Sequence, residues 1–131
     1  MKKITGELFT VYVLNDVVLK FPNDRPREWV ENTIQIHKDL SHIGTILPIE
    51  VVRHDRQIVI VQKKAPGIRL KDLDPEEVEQ NFQSLFDFKI YITEQCNNVG
   101  YEPANLSLGN IFMNTTSPKF HIVDVHSFKK L

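Results

Sequence analysis

Apolar and polar residues alternate over two short runs near the start of the chain, 8–14 and 17–21, separated by Asn15-Asp16. Period-two alternation on either side of a tight-turn dipeptide predicts a β-hairpin. In the second run Val18 and Lys20 share one face, and Val17, Leu19 and Phe21 share the other. A lysine in the middle of an apolar strand must carry its charge to water or to a partner, so Lys20 is either a snorkelling edge residue or a functional one. The period then changes. After a break at 22–24, Pro26 suits the first turn of a helix. Trp29, Thr33, Ile36 and Leu40, with Val30, Ile34 and His37 beside them, recur at helical spacing to about Ser41. Glu28 and Glu31 fall near the start of this helix, where solvated acidic residues are favoured by the dipole.

A second hairpin is predicted from 49–53 and 57–62 around His54-Asp55-Arg56. Lys63-Lys64-Ala65-Pro66-Gly67 then reads as a basic, turn-rich connector between two sub-structures. Asp74-Pro75-Glu76-Glu77 is a helix start, with a capping aspartate, proline in the first turn and glutamate three residues after the cap. Val78, Phe82, Leu85, Phe86, Ile90 and Ile92 extend one broad apolar face to about Asn98, and Gly100 stops the helix. This helix is expected to be the buried spine of the second half. A polar loop, 105–110, runs into Ile111, Phe112 and Met113; a Thr-Thr-Ser-Pro turn leads to an alternating strand over 120–126. That strand is expected to put Ile122, Asp124 and His126 on one face, and the hairpin to bring Asn110 close to Asp124. An amide oxygen and a carboxylate held together suit a hard cation such as Mg²⁺.

Composition narrows the classes without choosing one. With 131 residues the chain is expected to form one domain around a modest core. A content of 41% hydrophobic and 25% charged residues is that of an ordinary globular protein. The formal net charge of −1 supplies no general attraction to nucleic acid or to an anionic membrane. The middle segment is locally basic but has no interleaved aromatic residues, so it reads as a solvated rim. The single cysteine, Cys96, leaves no intrachain disulfide and fits a reducing, cytoplasmic setting; buried packing is its expected role. Met-Lys-Lys-Ile-Thr-Gly-Glu has no apolar run after its lysines and does not read as a signal peptide. No stretch reaches membrane-spanning length.

Three of these stretches, taken in order, resemble motifs of the protein-kinase-like superfamily. Val17-Val-Leu-Lys-Phe21 looks like its third-strand lysine motif, Asn105-Leu-Ser-Leu-Gly-Asn110 like its catalytic loop, and Ile122-Val-Asp-Val-His126 like its metal-binding aspartate motif. The resemblance implies an α+β fold with an antiparallel N-lobe sheet and one helix over 1–62 and a hinge or linker over 63–72. A reduced C-lobe of one long helix and a β-hairpin would follow over 73–131. It further implies ATP and Mg²⁺ as cofactors. Lys20 would pair with the α- and β-phosphates, and Glu31, with Glu28 as the alternative, would be its helix partner. The backbone of 62–64, with Gln62 and Lys64 among its residues, would meet adenine. Asn110 and Asp124 would hold the metal.

The departures from the family pattern shape the expected activity. Asn105 stands where the family has its catalytic aspartate, and an amide cannot take the substrate proton; general-base help is typically worth ~10²–10⁴-fold. Gly6-Glu-Leu-Phe-Thr10 offers one glycine where a glycine-rich lid would clamp phosphates. Val125 and His126 replace the phenylalanine and glycine of the metal motif, and Asp124 with His126 is too small a set for a transition-metal site. The sequence stops at Lys129-Lys130-Leu131, so the peptide-binding helical platform is expected to be missing. An apolar helix face left uncovered there would favour a homodimer or a protein partner. The expected function is therefore ATP and Mg²⁺ binding with weak or degenerate phosphotransfer; the alternative is a pseudokinase acting as a regulatory binding module.

Overall fold

The structure is a computed structural model that describes residues 1–104 and 106–131. Its first half is a five-stranded antiparallel sheet of β1 (Lys2–Thr5), β2 (Phe9–Val13), β3 (Val17–Pro22), β4 (Ile49–His54) and β5 (Gln57–Lys63). The strand order is β1-β2-β3-β5-β4, so β3 is the central strand. Lys20 lies opposite Val11 on one side and Ile60 on the other, which removes the edge-strand explanation for it. β1 has no counterpart in the pattern-based reading, because four residues, two of them lysines, carry too little alternation to register.

Helix α1 (Arg27–Asp39) connects β3 to β4 and buries Val30, Thr33, Ile34, Ile36 and His37. Its apolar residues serve two cores. Val30 and Ile34 pack with Phe9 and Ile60 beneath the sheet. Ile36 and Leu40 belong to a larger cluster with Ile43, Ile46 and the second half of the chain. His37 sits on the same helix between these two groups. The loop after α1 joins the halves through the backbone: Ile46 bridges Ile122 in parallel, Ile122 N donates to Thr45 O at 2.8 Å, and Leu47 N donates to Ile122 O at 2.9 Å.

The second half holds β6 (Ile68–Arg69), α2 (Pro75–Gln80), α3 (Phe82–Asn97), β7 (Tyr101–Glu102), β8 (Ile111–Met113), β9 (Phe120–Ile122) and β10 (Lys129–Lys130). β6, β8 and β9 make a three-stranded sheet, and β10 pairs with β7. The stretch 63–72 is more than a linker. Its latter part is built into the second half, with Ile68 opposite Met113 and Leu70 only 2% exposed. Gly67, at φ 89°, makes this approach possible: a Cβ there would lie 1.9 Å from Met113 O.

Two expectations need correction. The long helix is two helices, because Asn81 interrupts it with φ −105° and ψ 14°. Its side chain donates to Glu77 O at 2.8 Å and accepts from Lys119 Nζ, offering the backbone an alternative to helical continuation. The apolar residues of α3 also form two stripes, of which only Leu85, Phe88, Ile92 and Cys96 are buried. Phe82, Phe86 and Ile90 are 63%, 50% and 45% exposed, so they are not part of the spine. The strand expected over 120–126 ends at Ile122. Beyond it the Asp124 carboxylate accepts from His126 N at 2.9 Å, a local turn that pulls the backbone out of the extended ladder.

The observed architecture is thus mixed α+β, with antiparallel sheets and few helices. Among the described residues no helix is long and apolar enough to cross a membrane.

Candidate functional site

Between the inner face of the five-stranded sheet and the β6–β8–β9 unit lies a cleft of about 500 Å³. Strand alternation decides which side chains reach it. Val11 of β2, Val18 and Lys20 of β3, and Gln62 of β5 all point inward, because residues two apart share a face. Phe112, Val123 and Asp124 close the opposite side.

The backbone of one residue, Val123, organises the inner end. Val123 O accepts from Lys20 Nζ at 3.0 Å and from Gln62 Nε2 at 3.1 Å. Val123 N donates to Asn110 O at 3.1 Å. Residues from β3, β5 and the turn before β8 are thereby tied to the position preceding Asp124. No side-chain pattern announces Val123, because the group that acts is its backbone.

Asp124 is held by its own turn. Oδ1 takes the His126 N–H and lies 2.8 Å from His126 Nδ1. Burial acts to raise the Asp124 carboxyl, but the His126 contact and the Lys20 charge outweigh it and keep it below the ordinary carboxylate range. The same carboxylate raises the His126 imidazole above its ordinary value, against the effect of burial. His126 in turn packs against Trp29, with ring centroids 5.9 Å apart, so the start of α1 braces this turn. Burial lowers the Lys20 ammonium from its ordinary value, and Asp124 acts in the opposite sense.

The residue of α1 that faces this pair electrostatically is His37, not a glutamate. It is 6% exposed, and burial followed by the Lys20 charge pushes it down to about 4, with Asp124 opposing. Its Nδ1 is buried and has no hydrogen-bond partner among the described residues. Glu31, expected to pair with Lys20, instead forms a two-pronged ion pair with Arg53 at the surface, with Arg53 Nη2 3.0 Å from Glu31 Oε2. Glu28 is exposed. Neither glutamate is on the inner face of the helix, which 30, 33, 34 and 37 occupy; Glu31 leaves its flank towards Arg53 of β4.

Lys20, Gln62, Lys64, Asn110 and Asp124 all line the one cleft. The route expected for 62–64 is altered, however. The backbone of Gln62 is paired with Val18 and Ile49, and Lys64 N donates to Asp16 O at 3.2 Å. These backbone groups belong to the sheet, and Gln62 meets the cleft through its side chain. Asn105 lies outside the described residues. The single-glycine turn after β1 is fastened: Asn23 Nδ2 donates to Gly6 O at 2.8 Å, Asn23 N donates to Leu8 O at 2.9 Å, and Thr10 Oγ1 donates to Asn23 Oδ1 at 2.7 Å.

The donor set suits a hard cation. Asp124 keeps Oδ2 without a partner, and the Asn110 side chain has no hydrogen bond, both among the described residues. Two protein oxygens are fewer than the six of an octahedral Mg²⁺ shell, so water and ligand oxygens would supply the rest. The lining also concentrates positive charge. Lys2, Lys20, Lys63, Lys64 and Arg69 stand against Asp72 and Asp124, a balance of five to two, in a chain whose net charge is −1. A concave site with this balance attracts a polyanion.

Compared with known proteins, the chain matches no protein-family model and no curated protein.

Proposed function

We propose that this cleft binds a nucleoside triphosphate, ATP, together with Mg²⁺, in the manner of a minimal member of the protein-kinase-like superfamily. The observation that carries the reading is convergence. Lys20, on the central strand of the first half, lines one cleft with Asn110 and Asp124, which flank the β8–β9 hairpin, and Lys20 and Asn110 are tied directly to Val123. Apolar walls from Ile4, Val11, Val18 and Phe112 suit a base, and the charged inner end suits phosphates. Lys20 pairs with the phosphates, while Asp124 and Asn110 hold the cation. The cation, when bound, neutralises charge on the phosphates, which is much of what phosphoryl transfer requires. His126 and Trp29 fix the Asp124 turn, and His37, uncharged at neutral pH, leaves the Lys20 charge to Asp124 and the ligand.

Phosphotransfer by this chain is weak or degenerate, because Asn105 offers no base for the acceptor hydroxyl. A second reading, a catalytically inactive pseudokinase serving as a protein-binding module, is favoured by the exposed Phe82, Phe86 and Ile90 stripe on α3.

The test is thermal unfolding with millimolar ATP, with and without Mg²⁺. A ligand that binds only the native state raises stability by RT ln(1 + [L]/Kd). The expected result is a magnesium-dependent rise in Tm that Lys20→Met and Asp124→Asn abolish and Glu31→Gln leaves intact. No rise in the wild type refutes nucleotide binding, and a rise lost in Glu31→Gln refutes the assignment of residues.

A further inference from the structure

Gln62 is 3% exposed and lies on the inward face of β5, opposite Val18. Its Nε2 donates to Leu47 O and to Val123 O, each at 3.1 Å. Both partners are backbone carbonyls, which only accept, and a carboxamide nitrogen has two hydrogens. The nitrogen end is therefore fully committed. Reversing the amide would aim its oxygen at two carbonyl oxygens, so the chemistry of the site fixes the orientation. Oε1 is left as an acceptor with no partner among the described residues, on a side chain that lines the cleft. The backbone of Gln62 is paired on both sides, so the acceptor cannot be relocated without breaking the sheet.

An acceptor of fixed orientation that opens onto a cleft discriminates among ligands by what they donate. We infer that Gln62 makes the cleft selective for a nucleotide whose base, lying against Val18, presents an amino N–H to Oε1. This rests on the nucleotide reading and specifies which base it takes. Adenine meets the requirement through its 6-amino group. A purine without that group leaves Oε1 unsatisfied, and one with a 6-oxo group sets a second acceptor against it. A buried acceptor deprived of its donor weakens binding by about tenfold or more.

The test compares Mg²⁺ complexes of ATP and of purine riboside triphosphate, which lacks only the 6-amino group, by isothermal titration calorimetry. The wild type is expected to bind ATP about tenfold or more tightly. In Gln62→Met, which removes the acceptor, the ratio is expected to fall to within about twofold whatever the absolute affinity. Equal binding of the two nucleotides by the wild type overturns the inference while leaving the nucleotide cleft in place. So does a wild-type preference that persists in Gln62→Met. Should that variant fail to fold, having lost the donor to Leu47 O and Val123 O, the wild-type ratio decides, with inosine triphosphate expected to bind more weakly than purine riboside triphosphate. Binding of none of these nucleotides overturns the inference together with the reading beneath it.

Discussion

Replacing His37 is expected to flatten the acid limb of this protein's stability. His37 is held neutral in the folded state, at about 4 against an ordinary 6.5, by burial first and then by Lys20. In the unfolded chain the imidazole binds a proton as pH falls below about 6.5, whereas the native imidazole resists until about 4. The native state binds fewer protons across this window, so stability is lost as pH falls from 6.5 towards 4. At about 1.4 kcal/mol per pKa unit, the full difference corresponds to about 3 kcal/mol. His126 works in a separate window. Its folded value is raised, so its contribution is present below the ordinary histidine pKa and is lost as pH rises above it. His121 is lowered by burial and shares the acid window, which is why a comparison of variants is needed. The assay is urea unfolding of wild type and His37→Leu between about pH 7 and pH 4.5, followed by far-UV circular dichroism. Trp29 emission is the poorer probe because His126 lies against that ring. The wild type should lose about 2–3 kcal/mol more than the variant over this range. Parallel acid limbs in the two proteins would refute the placement of a neutral His37 beside Lys20.

Two further outcomes follow from packing. Gly67→Ala forces a Cβ to within 1.9 Å of Met113 O, whereas Gly100→Ala, also at positive φ, meets nothing within 4 Å. Gly100→Ala should therefore lose only about 1 kcal/mol of backbone preference. Gly67→Ala should lower Tm by about 10 °C or prevent folding; equal melting of the two variants would contradict the close packing of the 63–72 stretch. Cys96 is fully buried, and burial pushes its thiol up to about 11, so the native protein should resist thiol reagents at pH about 8 and react only as it unfolds. Rapid labelling of native protein would place Cys96 nearer the surface than the core of α3.

Much of the fold was legible because regular elements write their periods into the chain. The 9–13 and 17–22 hairpin, the inward side of α1 and the 49–63 hairpin follow from alternation and from 3.6-residue spacing. Where two apolar stripes occupy one helix, periodicity cannot say which is buried; in α3 the core took Leu85, Phe88, Ile92 and Cys96 and left Phe82 and Phe86 in solvent. The short strands β1, β6, β7 and β10 have too few residues to show a period at all. Asp124 was readable as a candidate by residue type, but its turn depends on a side-chain bond to His126 N that no alternation pattern records.

The glutamates separate the two kinds of knowledge. Position along α1 already marks Glu28 and Glu31 as solvated acidic residues, and that is how they sit; analogy alone pointed Glu31 at Lys20, and Arg53 across the surface took it instead. His37 was visible as a polar residue on an apolar helix face, but only packing shows that this face meets Lys20 and Asp124. The sequence by itself determined which residues could carry charge, accept a hydrogen bond or ligate a cation, because those are properties of side chains. Tertiary structure alone decided that the side chains of Lys20 and Gln62 reach the backbone C=O of Val123, while its N–H goes to the backbone oxygen of Asn110. Backbone N–H and C=O groups are the same at every position, so only the path of the chain determines which of them a side chain reaches.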